Sequence, residues 1–120
     1  MLPAMSTVLE RLYNGQGRVD MAAVADMTGE PLARLAKMTP LTAGALRKNP
    51  TSERAQPAAR RFVLVLTEMS RLLGSRKAAL IWLRAPHREL DGHSPLELLY
   101  GKRFEAVEGL VEDLRSGAPG

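Results

Sequence analysis

Between Pro57 and Gly74 the apolar residues Phe62, Val65, Leu66, Met69, Leu72 and Leu73 recur at intervals of three and four. That spacing returns the side chains to one side of a 3.6-residue turn, so the segment reads as one long helix with a single apolar stripe. Such a helix cannot cover its stripe alone and needs neighbours that bury it. Gly, Pro and cap residues cut the rest of the chain into short segments with helical apolar spacing, and no stretch shows convincing strand-like alternation. The expected fold is all-α, a small helical protein.

The punctuation predicts where each neighbour begins and ends. Ser6 can cap a short first helix carrying Val8, Leu9 and Leu12, ended by Gly15 to Gly17. Asp20 can cap Met21 to Met27, before Gly29. A third helix is expected over Glu30 to Met38, with Pro31 in its first turn and Leu32, Leu35, Ala36 and Met38 apolar. Thr39 before Pro40 repeats the cap-and-proline arrangement and opens a fourth segment through Asn49, stopped by Pro50. After the long helix, Ser75 can cap a helix through Leu83. Ser94 can cap one that starts at Pro95, with Glu97 placed for a capping box. Phe104, Val107, Leu110, Val111 and Leu114 line a last helix that Gly117 terminates.

Composition matters chiefly through charge and cysteine. The net charge of +4 is unevenly placed: residues 1–74 hold ten Lys/Arg against six Asp/Glu, and residues 75–120 hold seven of each. A nucleic-acid role therefore belongs to the first part if to either, although on charge alone a solvated basic surface is the better reading. The chain is read in two regions that meet there, 1–74 and 75–120. With no cysteine there is neither a disulfide framework nor a thiolate metal site. Apolar runs such as Phe62 to Leu66 are too short to cross a bilayer, and Met1 to Tyr13 lacks the pattern of a secretory signal. The expected setting is cytoplasmic, with no membrane partner.

The pair of short helices from Glu30 to Asn49 has the lengths of a helix-turn-helix, whose second helix enters the major groove. On that second helix Leu41, Ala45 and Leu46 would face the core, leaving Thr42, Arg47, Lys48 and Asn49 outward as candidate DNA contacts. Arg can grip guanine with two hydrogen bonds, Asn can read adenine, and Lys neutralises phosphate. Arg47 and Lys48 also sit where cations complement a helix dipole, so a purely structural role stands beside the DNA-reading one. Arg54, Arg60 and Arg61 just beyond read more simply as solvation of the long helix.

The run from Trp82 to Leu99 is the most distinctive in the chain. Trp82 and Leu83 end an apolar helix, Pro86 prevents its continuation, Gly92 permits a sharp turn, and Ser94-Pro95 starts the next helix while Leu90 closes over the core. Trp82 is expected to fill the core. The titratable residues His87, Glu89, Asp91 and His93 lie in this connection. They lack the fixed spacing of a zinc site or an acid–base pair, and a surface loop is the better reading. No catalytic residue, metal site or cofactor is expected.

A Trp-Leu pair, a nearby Pro, then Leu-x-Gly-x-x-Pro-x-x-Leu-Leu and a terminal helix ending in Gly is similar to the pattern of the Xre/MbcA/ParS antitoxins. Here those positions are Trp82, Leu83, Pro86, Leu90, Gly92, Pro95, Leu98 and Leu99, followed by Phe104 to Gly117. Leu46-Arg47-Lys48-Asn49-Pro50 also resembles the end of the family's second helix-turn-helix helix. The match departs at His87, where Asn is more usual, and at the polar connection Tyr100 to Arg103.

The resemblance implies a noncatalytic antitoxin paired with a RES-domain toxin, an enzyme that consumes NAD. It implies neutralisation by steric blockade, with the terminal segment Val111 to Gly120 approaching the NAD cleft. Val111, Glu112, Asp113, Leu114, Arg115, Gly117 and Gly120 are the toxin-facing candidates, although a solvated helix face is the better reading for any single charged one. By the same resemblance Thr42, Arg47, Lys48 and Asn49 inherit contact with operator DNA in autorepression, and a homodimer within a larger toxin–antitoxin complex is expected. The alternative is a stand-alone helix-turn-helix regulator whose carboxyl-terminal part serves dimerisation.

Overall fold

The computed structural model describes residues 10–117. Among them are seven α-helices and no strand: α1 (Met21–Thr28), α2 (Leu32–Leu35), α3 (Ala43–Lys48), α4 (Gln56–Leu73), α5 (Arg76–Arg84), α6 (Pro95–Tyr100) and α7 (Phe104–Ser116). Single 3-10 turns occupy Ala36–Met38, Glu53–Ala55 and Arg88–Leu90. The all-α expectation holds. The first helix expected after Ser6, with Val8 and Leu9, falls mostly outside the described residues. No helix among those described is long and apolar enough to cross a membrane.

The chain divides into two compact units, residues 1–60 and 61–120, with the division inside α4. The first turn of α4 is tied to the amino-terminal unit by Gln56. Its buried side-chain amide accepts the Val19 N–H at 2.8 Å and donates to the Val19 carbonyl at 3.1 Å, as a neighbouring strand would. Arg60 also donates to the Gly17 carbonyl at 2.9 Å. From Phe62 onward the helix supplies core to the second unit, which is why the units meet before Gly74 rather than at it.

In the first unit Asp20 caps α1 as expected, its carboxylate accepting the Ala22 N–H at 2.9 Å, and Gly29 ends it in the left-handed conformation at φ 76°. The third predicted helix is shorter than its pattern suggests: α2 is one turn that tightens into the 3-10 turn ending at Met38. Thr39 does not cap the next helix. It is buried, and its hydroxyl donates back to the Ala36 carbonyl at 2.8 Å while accepting the Leu41 N–H at 3.0 Å. Thr42 takes the cap of α3, accepting the Ala45 N–H at 3.1 Å. With α3 starting later, Leu46 is buried, Leu41 is half-buried, and Ala45 is exposed rather than core-facing.

In the second unit Ser75 caps α5 and Ser94 caps α6, the latter in a full capping box with Glu97. Phe62, Val65, Leu66 and Met69 of α4 are buried, joined by Leu83, Leu90, Leu99, Phe104 and Val107. Each fully buried large side chain contributes about 1.5–3 kcal/mol. The stripe does not stay buried to the end of α4: Leu72 and Leu73 are exposed, as is Leu114 on α7.

Candidate functional site

The connection between α5 and α6 forms the scaffold expected from the Trp82-to-Leu99 motif. The His87 N–H donates to the His93 carbonyl at 3.1 Å and the Gly92 N–H to the His87 carbonyl at 2.9 Å, which closes the loop on itself. Asp91 and Gly92 both adopt positive φ, 56° and 83°, so the sharp turn uses Gly92 as predicted and its neighbour as well. Leu83, Leu90, Pro95, Leu98 and Leu99 are buried, whereas Pro86 is exposed.

Trp82 departs from expectation. It is half-buried, and its ring lies 5.3 Å from the His87 ring at a 38° tilt. The His87 Nε2–H donates to the Trp82 carbonyl at 2.8 Å, so His87 seals the carboxyl end of α5. Such a role needs a side-chain donor, which the Asn usual at this position also supplies. His93 pairs instead with Glu97 at 3.4 Å. The Glu97 carboxyl is held below its ordinary range, first by the Ser94 backbone N–H and then by His93. No group of three or more His, Cys, Asp or Glu among the described residues is placed to hold a metal ion.

Among the residues expected to face the toxin, Glu112, Asp113, Leu114, Arg115 and Gly117 are exposed at the end of α7, and Gly120 lies outside the described residues. Val111 is buried at 7% exposure, so it serves the core more than a free surface. Arg115 donates to Glu112 at 2.7 Å, lowering that carboxyl and raising the guanidinium. Both charges are exposed, and this pairing costs little to exchange for another.

Beside this end of α7 the structure opens a groove of about 590 Å³ between α7 and α4. Leu64, Val65, Leu72 and Val111 make its apolar lining. Three ion pairs surround it: Arg61 with Glu108, Arg71 with Glu68 at 3.2 Å, and Arg115 with Glu112. On the α4 side of this groove the sequence stripe marks only Val65 and Leu72. Leu64 lies off the recognised stripe, and Arg61 reads there as a solvating cation. The signal that could have found Arg61 is the Glu105/Glu108 pair one turn apart on α7, because both carboxylates accept from its guanidinium.

The DNA-facing candidates Thr42, Arg47, Lys48 and Asn49 are all exposed on or beside α3. Arg47 and Lys48 occupy its last turn, and Asn49 follows as its carboxyl cap. Thr42 has its hydroxyl committed to capping. At six residues, α3 is a short element, packed on α2 and on the 3-10 turn before Thr39.

Residues 70–117 match the family model described as the antitoxin Xre/MbcA/ParS C-terminal toxin-binding domain. Among solved structures the chain is similar to a chain of the M. tuberculosis MbcT–MbcA toxin–antitoxin complex. The likeness covers 99% of this chain and 100% of that one at a TM-score of 0.60, with 11% sequence identity, and so concerns the fold. No curated protein matches the sequence.

Proposed function

From the match of residues 70–117 to the Xre/MbcA/ParS antitoxin C-terminal toxin-binding domain, we propose that the chain is the noncatalytic antitoxin of a type II toxin–antitoxin pair. The observation that carries the reading is the coincidence of that domain with a self-contained packed unit whose last helix ends in exposed charge. Its toxin is a RES-domain enzyme that degrades NAD, and neutralisation is physical obstruction of that enzyme's cleft. Glu112, Asp113, Leu114, Arg115 and Gly117 supply the contacts, because they are exposed and the pairing of Glu112 with Arg115 exchanges readily for groups on a partner.

Autorepression is the second part of the proposal. The exposed Arg47 and Lys48 on α3 favour it, since they lie beside Asn49 in the unit that holds most of the chain's excess positive charge, eight Lys/Arg against five Asp/Glu in residues 1–60. The protein acts as a homodimer within the larger complex. A stand-alone regulator would need the same α3 but no toxin.

Co-expression with the neighbouring gene product tests the central reading. Growth and cellular NAD are expected to recover when both proteins are made, and the two are expected to co-purify. A normally expressed chain that restores neither growth nor NAD would overturn the antitoxin role.

A further inference from the structure

The second helix of a helix-turn-helix presents its amino-terminal residues to the base edges, while the first crosses the phosphates. On α3 those residues carry almost nothing that can tell one base from another. Thr42 caps the helix, its hydroxyl accepting the Ala45 N–H at 3.1 Å. The hydroxyl hydrogen can still donate, but a lone donor finds an acceptor on guanine, adenine and thymine alike. Ala43 is half-buried, and the exposed Gly44 and Ala45 have no polar side-chain atom. Gly44 and Lys48, four apart, share the outward side of α3, each about 160° around the helix from the buried Leu46. Over Gly44 that side is open, with nothing within 4 Å of where a Cβ would stand.

The polar and charged groups gather at the other end of the helix. Arg47 and Lys48 are exposed in its last turn, and Asn49 is its carboxyl cap. Asn reads adenine by using its amide oxygen and nitrogen together. The Asn49 Oδ1 already accepts the Thr51 hydroxyl at 3.3 Å, which engages this amide with the segment after α3. Charge over the whole two-helix region has one sign: residues 31–52 hold four Lys/Arg and no Asp/Glu.

We infer that α3 holds duplex DNA by its phosphates without reading base identity, so that this surface takes DNA of any sequence. The inference rests on the DNA contact of the proposed function and narrows its chemistry. Cations that release counterions from the phosphates do so equally on every sequence. The one discriminating contact left to the amino-terminal half of α3 is the Ala45 methyl against the C5-methyl of thymine, which is van der Waals contact alone. A regulator acting by itself has to select its operator through base contacts, and α3 does not supply them.

The full chain, purified alone, tests this by selection from a library of random-sequence duplexes at low salt. The recovered pool is expected to show no motif with fixed guanine or cytosine positions. In fluorescence anisotropy it is expected to bind less than about tenfold more tightly than the starting pool, where a base-reading module gains a thousandfold or more. Arg47→Ala with Lys48→Ala is expected to weaken binding to both pools by the same factor, with unchanged helical circular dichroism. A recovered motif with fixed guanine or cytosine, or a preference above tenfold, overturns the inference and leaves autorepression standing. Loss of binding to the recovered pool alone in the double variant also overturns it, because Arg47 or Lys48 would then be reading bases. A wild type that binds neither pool at low salt overturns the DNA role itself, and this inference with it, while toxin rescue is unaffected.

Discussion

Arg61 grips Glu108 with two hydrogen bonds from one guanidinium, and its Nε donates at 2.8 Å. The same group reaches Glu105 at 3.1 Å and lies 4.7 Å from the centre of the Phe104 ring. The first turns of α7 are thereby fastened to α4 by one planar cation, which the two carboxylates hold above its ordinary pKa, Glu108 first. All these charges are partly exposed, so the gain is modest. Arg61→Ala is expected to lower stability by about 1–2 kcal/mol in chemical denaturation. Arg61→Lys keeps the charge but loses the fork and the stacking, and is expected to recover less than half of that.

Glu97 predicts an acid response. Its carboxyl accepts the Ser94 N–H at 3.2 Å and lies 3.4 Å from His93, which together hold its pKa below the ordinary 4.5. A carboxyl lowered by folding stabilises the folded state above its unfolded value, and that contribution disappears as pH falls through the folded one. Stability should therefore decline below about pH 4.5. In Glu97→Gln the decline should be shallower without vanishing, because Glu105 and Glu112 are lowered in the same direction, by Arg61 and Arg115 respectively. Denaturation midpoints measured across that range in both proteins check it.

Lys102 stands at φ 62° between α6 and α7, where its N–H donates to the Leu99 carbonyl at 2.9 Å. A side chain with a Cβ is disfavoured there by about 1–2 kcal/mol, and glycine is not. Lys102→Gly is expected to raise stability by about 1 kcal/mol, after the larger chain entropy of glycine in the unfolded state is offset. Asp91 has a similar φ of 56°, but Asp tolerates this conformation better, and Asp91→Gly is expected to gain less. Urea midpoints of the two variants rank them.

How legible each element is in the sequence depends on how local its determinants are. Asp20, Ser75 and Ser94 cap the helices assigned to them because a cap needs only its next three residues. Thr39 misleads for a tertiary reason: it is buried and bonded backward, which passes the cap to Thr42. Periodicity carries Leu72 and Leu73 onto the stripe, but it cannot say where the surrounding core stops. Arg61 is the least legible, since its partners lie more than forty residues away and nothing local marks it as anything but a solvated cation.

The buried position of Val111 decides how the proposed toxin-facing end should be tested. Deleting residues 111–120 would remove core as well as surface. Deleting 114–120 spares Leu110 and Val111 while removing Leu114, Arg115 and Gly117, all of them exposed. The shorter deletion is expected to keep the helical circular dichroism and to weaken toxin neutralisation in co-expressing cells at least tenfold, the equivalent of about 1.4 kcal/mol of lost contact. Full neutralisation by that variant would place the obstructing element elsewhere in the unit.

For DNA, the useful variant is Arg47→Ala with Lys48→Ala. Thr42→Ala would remove the cap of α3 and test folding rather than contact, because the Thr42 hydroxyl is the acceptor for Ala45. Arg47 and Lys48 are exposed, and their loss costs α3 only the dipole complement, about 0.3–1 kcal/mol each. If both neutralise phosphates, operator affinity should fall, and the slope of log affinity against log salt should become shallower by about 2 for the two charges removed. Titrations at several salt concentrations measure both. An unchanged slope with an intact fold would mean that α3 does not lie against the phosphate backbone, and it would turn the charge of the amino-terminal unit back into ordinary solvation.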